Sequence, residues 1–181
     1  MFAAADSSCV SLSVTSGDVI WTNPLKGMGA GICSLVIDDK GSTLFVGLQG
    51  RVMAIDANSG TTHWKAGLSR TGYDMVTLSY ACKANLPGFA RESIIYAASR
   101  GRIFAFDTSN GNTIWSANIK PSTKCHVCLA PHFSPKDKRN RLFFSMHGRF
   151  GVLDAASGVE LWQLRLAKLR EHNSILPMVT P

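Results

Sequence analysis

Apolar and polar positions alternate along this chain in short runs broken by turn-forming residues, and no stretch sustains the three-to-four spacing of a long amphipathic helix. Leu44 to Leu48 reads as a strand, Gln49-Gly50 as a two-residue hairpin turn and Arg51 to Asp56 as the next strand. The glycine of such a hairpin supplies the positive φ it requires. Asp56-Ala57-Asn58-Ser59-Gly60 is a second turn, in which the aspartate can hydrogen-bond turn amides and the glycine again takes positive φ. Thr61 to Ala66 follows as a strand carrying Trp64, and Ser34 to Ile37 supplies an earlier one, which makes four. Weak helical character is confined to Leu164 to Glu171.

The same unit recurs. Val76 to Ala81, Ile94 to Ser99, Arg102 to Asp107 and Asn112 to Ala117 form one copy; Val127 to Ala130, Arg141 to Ser145, Arg149 to Asp154 and Val159 to Leu164 form another. Trp21, Trp64, Trp115 and Trp162 each lie four residues after a glycine: Gly17, Gly60, Gly111 and Gly158. Asp56, Asp107 and Asp154 precede three of those glycines at one offset, with Ser13 in the first copy. Gly50-Arg51, Gly101-Arg102 and Gly148-Arg149 precede the aspartates at another. The tryptophans recur at spacings of 43 to 51 residues, and four strands in such a period is the arithmetic of a β-propeller blade. The fold expected is all-β, a propeller of about four antiparallel four-stranded blades.

Ala54 to Trp64 resembles the tryptophan-docking motif of the pyrroloquinoline-quinone-like (PQQ-like) propeller repeat; Ala105 to Trp115 is similar, and Val152 to Trp162 and Ser11 to Trp21 are weaker matches. The resemblance implies that the four tryptophans form a structural girdle, each stacked between blades against the turn of the next motif. Blades are expected over residues 32–68, 74–119 and 126–166, with residues 1–25 and a C-terminal strand at 174–179 sharing the first. Phe2 to Ala5 falls on a second-strand position and Ile175 to Val179 on a first-strand position of one blade. Two readings follow: a ring closed by pairing of the two ends, or part of a larger propeller completed by further blades or by a second copy. The family's usual seven or eight blades favour the second.

Nineteen Lys and Arg against twelve Asp and Glu give a net charge of +7, which favours anionic partners. Turns between second and third strands share a face with the loops between blades, so Arg51, Arg102 and Arg149 are expected there with Lys26, Arg70, Lys120 and Lys124, against the acid Asp74. Arginines spaced round a ring can share phosphate or carboxylate oxygens, although repeats also copy solvated surface residues along with their core. A protein or a small anionic ligand is the partner class this face suits. Paired aromatics and a recognition helix are missing from it, which argues against nucleic acid. No apolar run approaches a membrane span.

Cys9, Cys33, Cys82, Cys125 and Cys128 are odd in number and lack framework spacing, and the start Met1 to Asp6 lacks the features of a secretory signal, so a cytoplasmic setting is favoured. Cys125-His126-Val127-Cys128 is a lone C-x-x-C, and His132 and His147 are too weakly patterned to complete a zinc site. The resemblance also admits a fragment of a PQQ-dependent dehydrogenase oxidising an alcohol or sugar. Such enzymes hold quinone on a tryptophan floor beside an adjacent Cys-Cys disulfide, with a calcium ion. This sequence has no adjacent cysteine pair, its tryptophans are assigned to the girdle, and no acidic cluster lies on the expected face. No catalytic residue, cofactor or metal is therefore expected, and the favoured reading is a non-catalytic interaction scaffold.

Overall fold

The computed structural model describes residues 1–82, 92–120 and 126–166, and all regular structure within them is β. Four antiparallel sheets follow one another along the chain. The first holds β1 (Phe2–Ala5), β2 (Ser8–Leu12) and β3 (Val19–Asn23); the second β4 (Ser34–Ile37), β5 (Thr43–Leu48), β6 (Arg51–Asp56) and β7 (Thr62–Gly67). The third holds β8 (Thr77–Cys82), β9 (Ser93–Ser99), β10 (Arg102–Asp107) and β11 (Thr113–Asn118). The fourth holds β12 (Cys128–Ser134), β13 (Arg139–Met146), β14 (Arg149–Asp154) and β15 (Glu160–Arg165). Each sheet is an up-and-down meander, as a propeller blade requires. The first strands of successive blades meet, β8 touching both β4 and β12. The expected strand at 174–179 lies outside the described residues.

Alternation along each central strand feeds two different cores. In β5 and β6, Leu44, Val46, Leu48, Met53 and Ile55 pack with Trp21, Leu25 and Cys9 of the first blade. The intervening Phe45, Val52 and Ala54 pack with Val76, Ile95, Ala97 and Phe106 of the third. Ile94, Tyr96, Ala98, Ile103 and Ala105 turn the other way, onto Leu142, Phe144, Met146 and Leu153 of the fourth. The protein is therefore held by three inter-blade cores. Burial in the first of them pushes the Cys9 thiol up to about 11, which keeps it protonated and makes it an inert packing group.

The hairpin turns read from glycine alone prove to use positive φ at both central residues. Gln49 and Gly50 lie at 45° and 68°, Arg100 and Gly101 at 50° and 74°, and His147 and Gly148 at 47° and 70°. This conformation matches the right-handed twist of the flanking strands.

Two boundaries differ from the sequence reading. The strands expected at Val127 to Ala130 and Arg141 to Ser145 are longer: β12 runs to Ser134 and pairs with β13 from Arg139, so the basic run from Lys136 to Arg141 is partly strand. Arg141 reaches back to pair with Asp137 across the hairpin end, so part of the run's charge is neutralised locally. Leu164 lies in the strand expected to end there, and Arg165, where weak helical character was expected, continues it in β15 opposite Arg149.

Candidate binding face

The positions of the tryptophans follow from strand register. In each blade the strand carrying the tryptophan slips by one residue against its neighbour, at Ser11/Leu12, Ala54/Ile55, Ala105/Phe106 and Val152/Leu153. A bulge of this kind re-aims the side chains beside it. It sets up a cross-strand row with the tryptophan at one end and an aromatic at the other: Phe2–Ser11–Trp21, Phe45–Ala54–Trp64, Tyr96–Ala105–Trp115 and Phe143–Val152–Trp162. In the first three rows the middle residue is small, and the end rings sit 5.8, 5.9 and 5.8 Å apart. The aromatic at the far end escaped the sequence reading, although its fixed distance before the glycine-arginine turn could have revealed it.

Each of the first three tryptophans then reaches the next blade. The Trp21 indole N–H donates to the Ala57 carbonyl at 3.0 Å, Trp64 to Thr108 at 2.8 Å and Trp115 to Ala155 at 3.2 Å. The acceptor is always the residue after the turn's aspartate. The rings lie flat on the turn glycines, so a Cβ on Gly60 would fall 2.7 Å from the Trp21 ring, and Gly111 and Gly158 meet Trp64 and Trp115 in the same way. The aspartates brace these seats: the Asp56 carboxylate accepts from the Asn58 and Ser59 amides and the Ser59 hydroxyl, and Asp154 accepts the matching bonds. Those bonds, the Ser59 amide first, hold the Asp56 carboxyl below the usual carboxylate range. Trp162 and Gly17 differ from the rest: Trp162 is 44% exposed against 9% for Trp115, and the space over Gly17 is open among the described residues.

The opposite rim of each blade carries the loop face. The Gly50 amide donates to the Asp74 carbonyl at 2.9 Å and the Leu68 amide to the Gly50 carbonyl at 2.8 Å, which ties the β5–β6 turn to the chain running into the next blade. Ile119 to Gly101 and Leu166 to Gly148 repeat the second bond. Gln49 also donates to the Ala30 carbonyl in the preceding inter-blade loop. Turns and inter-blade loops therefore share one face.

Two adjacent clefts open on it. One, of about 310 Å³, gathers Ile32, Gln49, Tyr73, Asp74, Met75 and His126, from loops leading into three different blades. The other, of about 510 Å³, is lined by Gln49, Arg51, Leu68, Ser69 and Tyr73. Gln49 and Tyr73 belong to both. The Arg51 guanidinium lies over the exposed Tyr73 ring, 5.3 Å from its centre, and donates to the Gln49 carbonyl at 3.4 Å. Stacking of this kind holds the cation in place while leaving its outer N–H groups to a ligand.

The other expected basic residues are more scattered. Arg102 and Arg149 begin β10 and β14 directly after their turns and are half-buried, while Lys26, Arg70 and Lys120 are exposed. None of these five lines either cleft, and Lys124 lies outside the described residues. No ion pair among the described residues takes up Arg51, Arg102 or Arg149. Asp74, read as the lone acid of the face, sits 3.7 Å from Arg100, a cation the sequence reading passed over. Arg100 occupies the turn position of Gln49 and also donates to the Thr71 carbonyl at 3.4 Å. The clefts themselves were not foreseen, because Gln49, Tyr73 and His126 come from separate loops.

Among the described residues the two clefts offer neither a tryptophan floor nor a group of acidic ligands. Trp21, Trp64 and Trp115 are committed to the seats between blades and Trp162 lies on the outer side of the fourth blade, so none floors a cleft. Asp74 already accepts from the Met75 amide at 2.8 Å and faces Arg100. Among the described residues no three His, Cys, Asp or Glu side chains are grouped as a metal site needs.

Four-stranded meander blades, joined by a tryptophan lying on the glycine turn of the next blade, define a PQQ-type β-propeller. The family described as outer membrane protein assembly factor BamB matches residues 5–179, and the chain belongs to this PQQ-like repeat family. No curated protein matches it in sequence. Among solved structures it is similar to BamB from Moraxella catarrhalis, with 21% identity and a TM-score of 0.62 over 91% of this chain and 46% of that one. It is similar also to quinohemoprotein alcohol dehydrogenase from Comamonas testosteroni, with 15% identity and a TM-score of 0.67 over 90% of this chain and 33% of that one. The computationally designed Ika8 protein gives 16% identity and a TM-score of 0.65 over 89% of this chain and 44% of that one. The chain spans less than half the length of each of these structures, and at such identities the likeness is one of fold.

Proposed function

We propose that this propeller is a non-catalytic interaction scaffold whose loop face binds an acidic segment of a partner protein. The observation that carries the reading is Arg51, stacked on Tyr73 and free of any carboxylate partner among the described residues, at the edge of two joined clefts. A guanidinium held in that way offers a planar fork of donors to a carboxylate, and the exposed Tyr73 ring supplies apolar surface for the adjoining chain. The net charge of +7 would steer an anionic partner towards it. BamB, whose name describes an assembly factor, has the same fold and is consistent with a protein partner.

The test uses a fluorescein-labelled oligoglutamate peptide and fluorescence anisotropy. Binding should weaken as salt rises, since exposed charges are screened over about 8–10 Å at physiological ionic strength. Reversal of Arg51, Arg102 and Arg149 to glutamate together should abolish it, with Arg51→Glu alone giving most of the loss. Equal binding by wild type and the triple variant would end the proposal, as would stoichiometric uptake of PQQ in the presence of calcium.

A further inference from the structure

The second blade departs from its own repeat at one place on the loop face. Arg51, Arg102 and Arg149 open equivalent strands, and across the sheet they face Gly67, Asn118 and Arg165. Residues directly opposite on antiparallel strands project from the same side of the sheet. Gly67 therefore leaves room beside Arg51 where the other two blades carry a side chain. Neither backbone nor packing calls for glycine there, since its φ is not positive and a Cβ would meet nothing within 4 Å. Arg51 is also the one turn arginine that lies over an aromatic ring among the described residues.

The turn beside it departs as well. Leu25 and Leu68 each stand four residues after a tryptophan and open equivalent inter-blade turns. The Met28 amide closes the first on the Leu25 carbonyl at 2.9 Å, and the Thr71 amide closes the second on the Leu68 carbonyl at 3.4 Å. The third residue of the first turn is Gly27, at a φ of 80°; in the second it is Arg70, at 63°. A long side chain in the left-handed region is strained where its counterpart is glycine, and such strain concentrates at binding sites. Arg70 is exposed and in no ion pair among the described residues. Ser69, just before it, lines the cleft of about 510 Å³ together with Arg51, Gly67 and Tyr73. No acid among the described residues lines this cleft, and Asp74 belongs only to the smaller one.

We propose that this cleft takes a phosphorylated side chain of the partner, an inference that rests on the acidic segment assigned to the loop face above. A carboxylate is planar, and a single guanidinium fork satisfies it. The cleft offers more than that: the Arg51 fork fixed over Tyr73, the Ser69 hydroxyl and the neighbouring Arg70 cation, with the bare Gly67 backbone leaving room beside the fork. A phosphoryl group brings three acceptor oxygens and a charge of about −1.5 to −2 at neutral pH, so it suits donors that come from more than one element. In the third and fourth blades Asn118 and Arg165 stand where this room lies, which confines the site to the second blade. The partner is then held through one modified residue, and its phosphorylation strengthens docking.

Anisotropy of three fluorescein-labelled peptides tests this, each with the same glutamate-rich sequence around a central serine, glutamate or phosphoserine. The phosphoserine peptide should bind about tenfold tighter than the glutamate peptide, and the serine peptide more weakly than either. Arg70→Gly gives the turn the residue of its counterpart. It should leave the unfolding midpoint unchanged or raised while bringing the phosphoserine peptide down to the level of the glutamate peptide. A merely structural Arg70 would move the midpoint and leave the preference. Gly67→Asn, which places the third blade's residue in the second, should also remove the preference with an unchanged far-UV spectrum. Equal binding of phosphoserine and glutamate peptides by the wild type would overturn this inference and leave the loop-face reading standing, as would a preference retained in either folded variant. Binding of none of the three peptides would end both.

Discussion

The joint between the third and fourth blades and the outer side of the fourth blade are built from the same motif, yet they differ in what the motif accomplishes. At the joint, Trp115 is hydrogen-bonded to Ala155 and pressed onto Gly158, and Ile119 below it is sealed. On the outer side, Trp162 keeps its own aromatic row but meets no turn among the described residues, and Leu164 and Leu166 stay open with it. The motif therefore specifies one half of an interface, and burial comes only with the next repeat. That is the thermodynamic signature of a repeat protein, in which stability resides in nearest-neighbour contacts as much as in the units.

The largest effect should come from the tryptophans themselves. Trp115→Ala should cost about 3–5 kcal/mol in chemical denaturation, the range for a fully buried large side chain. Trp162→Ala, measured in dilute solution, should cost about 1 kcal/mol or less, as expected of a partly exposed position. Similar losses at both sites would erase the distinction between joint and free face.

Glycine substitution sharpens the comparison from the other side. At Gly158 and at Gly17 alanine must adopt a positive φ, which costs about 1–2 kcal/mol in either place. Only at Gly158 does the new Cβ also meet the Trp115 ring, so Gly158→Ala should be the more destabilising of the two in thermal unfolding. Equal shifts would mean that the glycine serves the turn and not the docking.

A smaller effect should appear with pH. The Asp56 carboxyl is held below its unfolded value, so its contribution is complete above the ordinary carboxylate range and is lost as pH falls through the folded value. Stability should decline as pH falls through and below the ordinary carboxylate range, and Asp56→Asn should flatten that part of the profile. Least of all, Arg51→Glu should leave the unfolding midpoint nearly unchanged, within about 0.5 kcal/mol, because Arg51 lies away from the joints.

Much of this architecture is legible in the sequence because the repeat fixes offsets. Glycine four residues before tryptophan, with aspartate before it, demands a turn whose amides are bonded and a ring placed just beyond. What the offsets could not convey is occupancy: Trp162 carries the same local signal as Trp115 yet meets no glycine turn among the described residues. The outer part of the β12–β13 hairpin was obscured for a different reason. Pro131 and the charges from Lys136 to Arg141 speak against a strand, but β12 is an edge strand, where proline is tolerated, and Arg141 is balanced by Asp137. The clefts were hidden because a loop face assembles residues by blade geometry: Gln49, Tyr73 and His126 share no spacing that a repeat search would notice.

Each of the first three tryptophans is fixed by the turn of the following blade. Exchange of the four indole N–H protons, followed by NMR on the 15N-labelled chain in dilute solution, reads this directly. Trp21, Trp64 and Trp115 should exchange slowly because each donates to a carbonyl across a joint, and Trp162 should exchange at the rate of an exposed indole. Exchange of Trp115 or Trp21 as fast as that of Trp162 would contradict the claim.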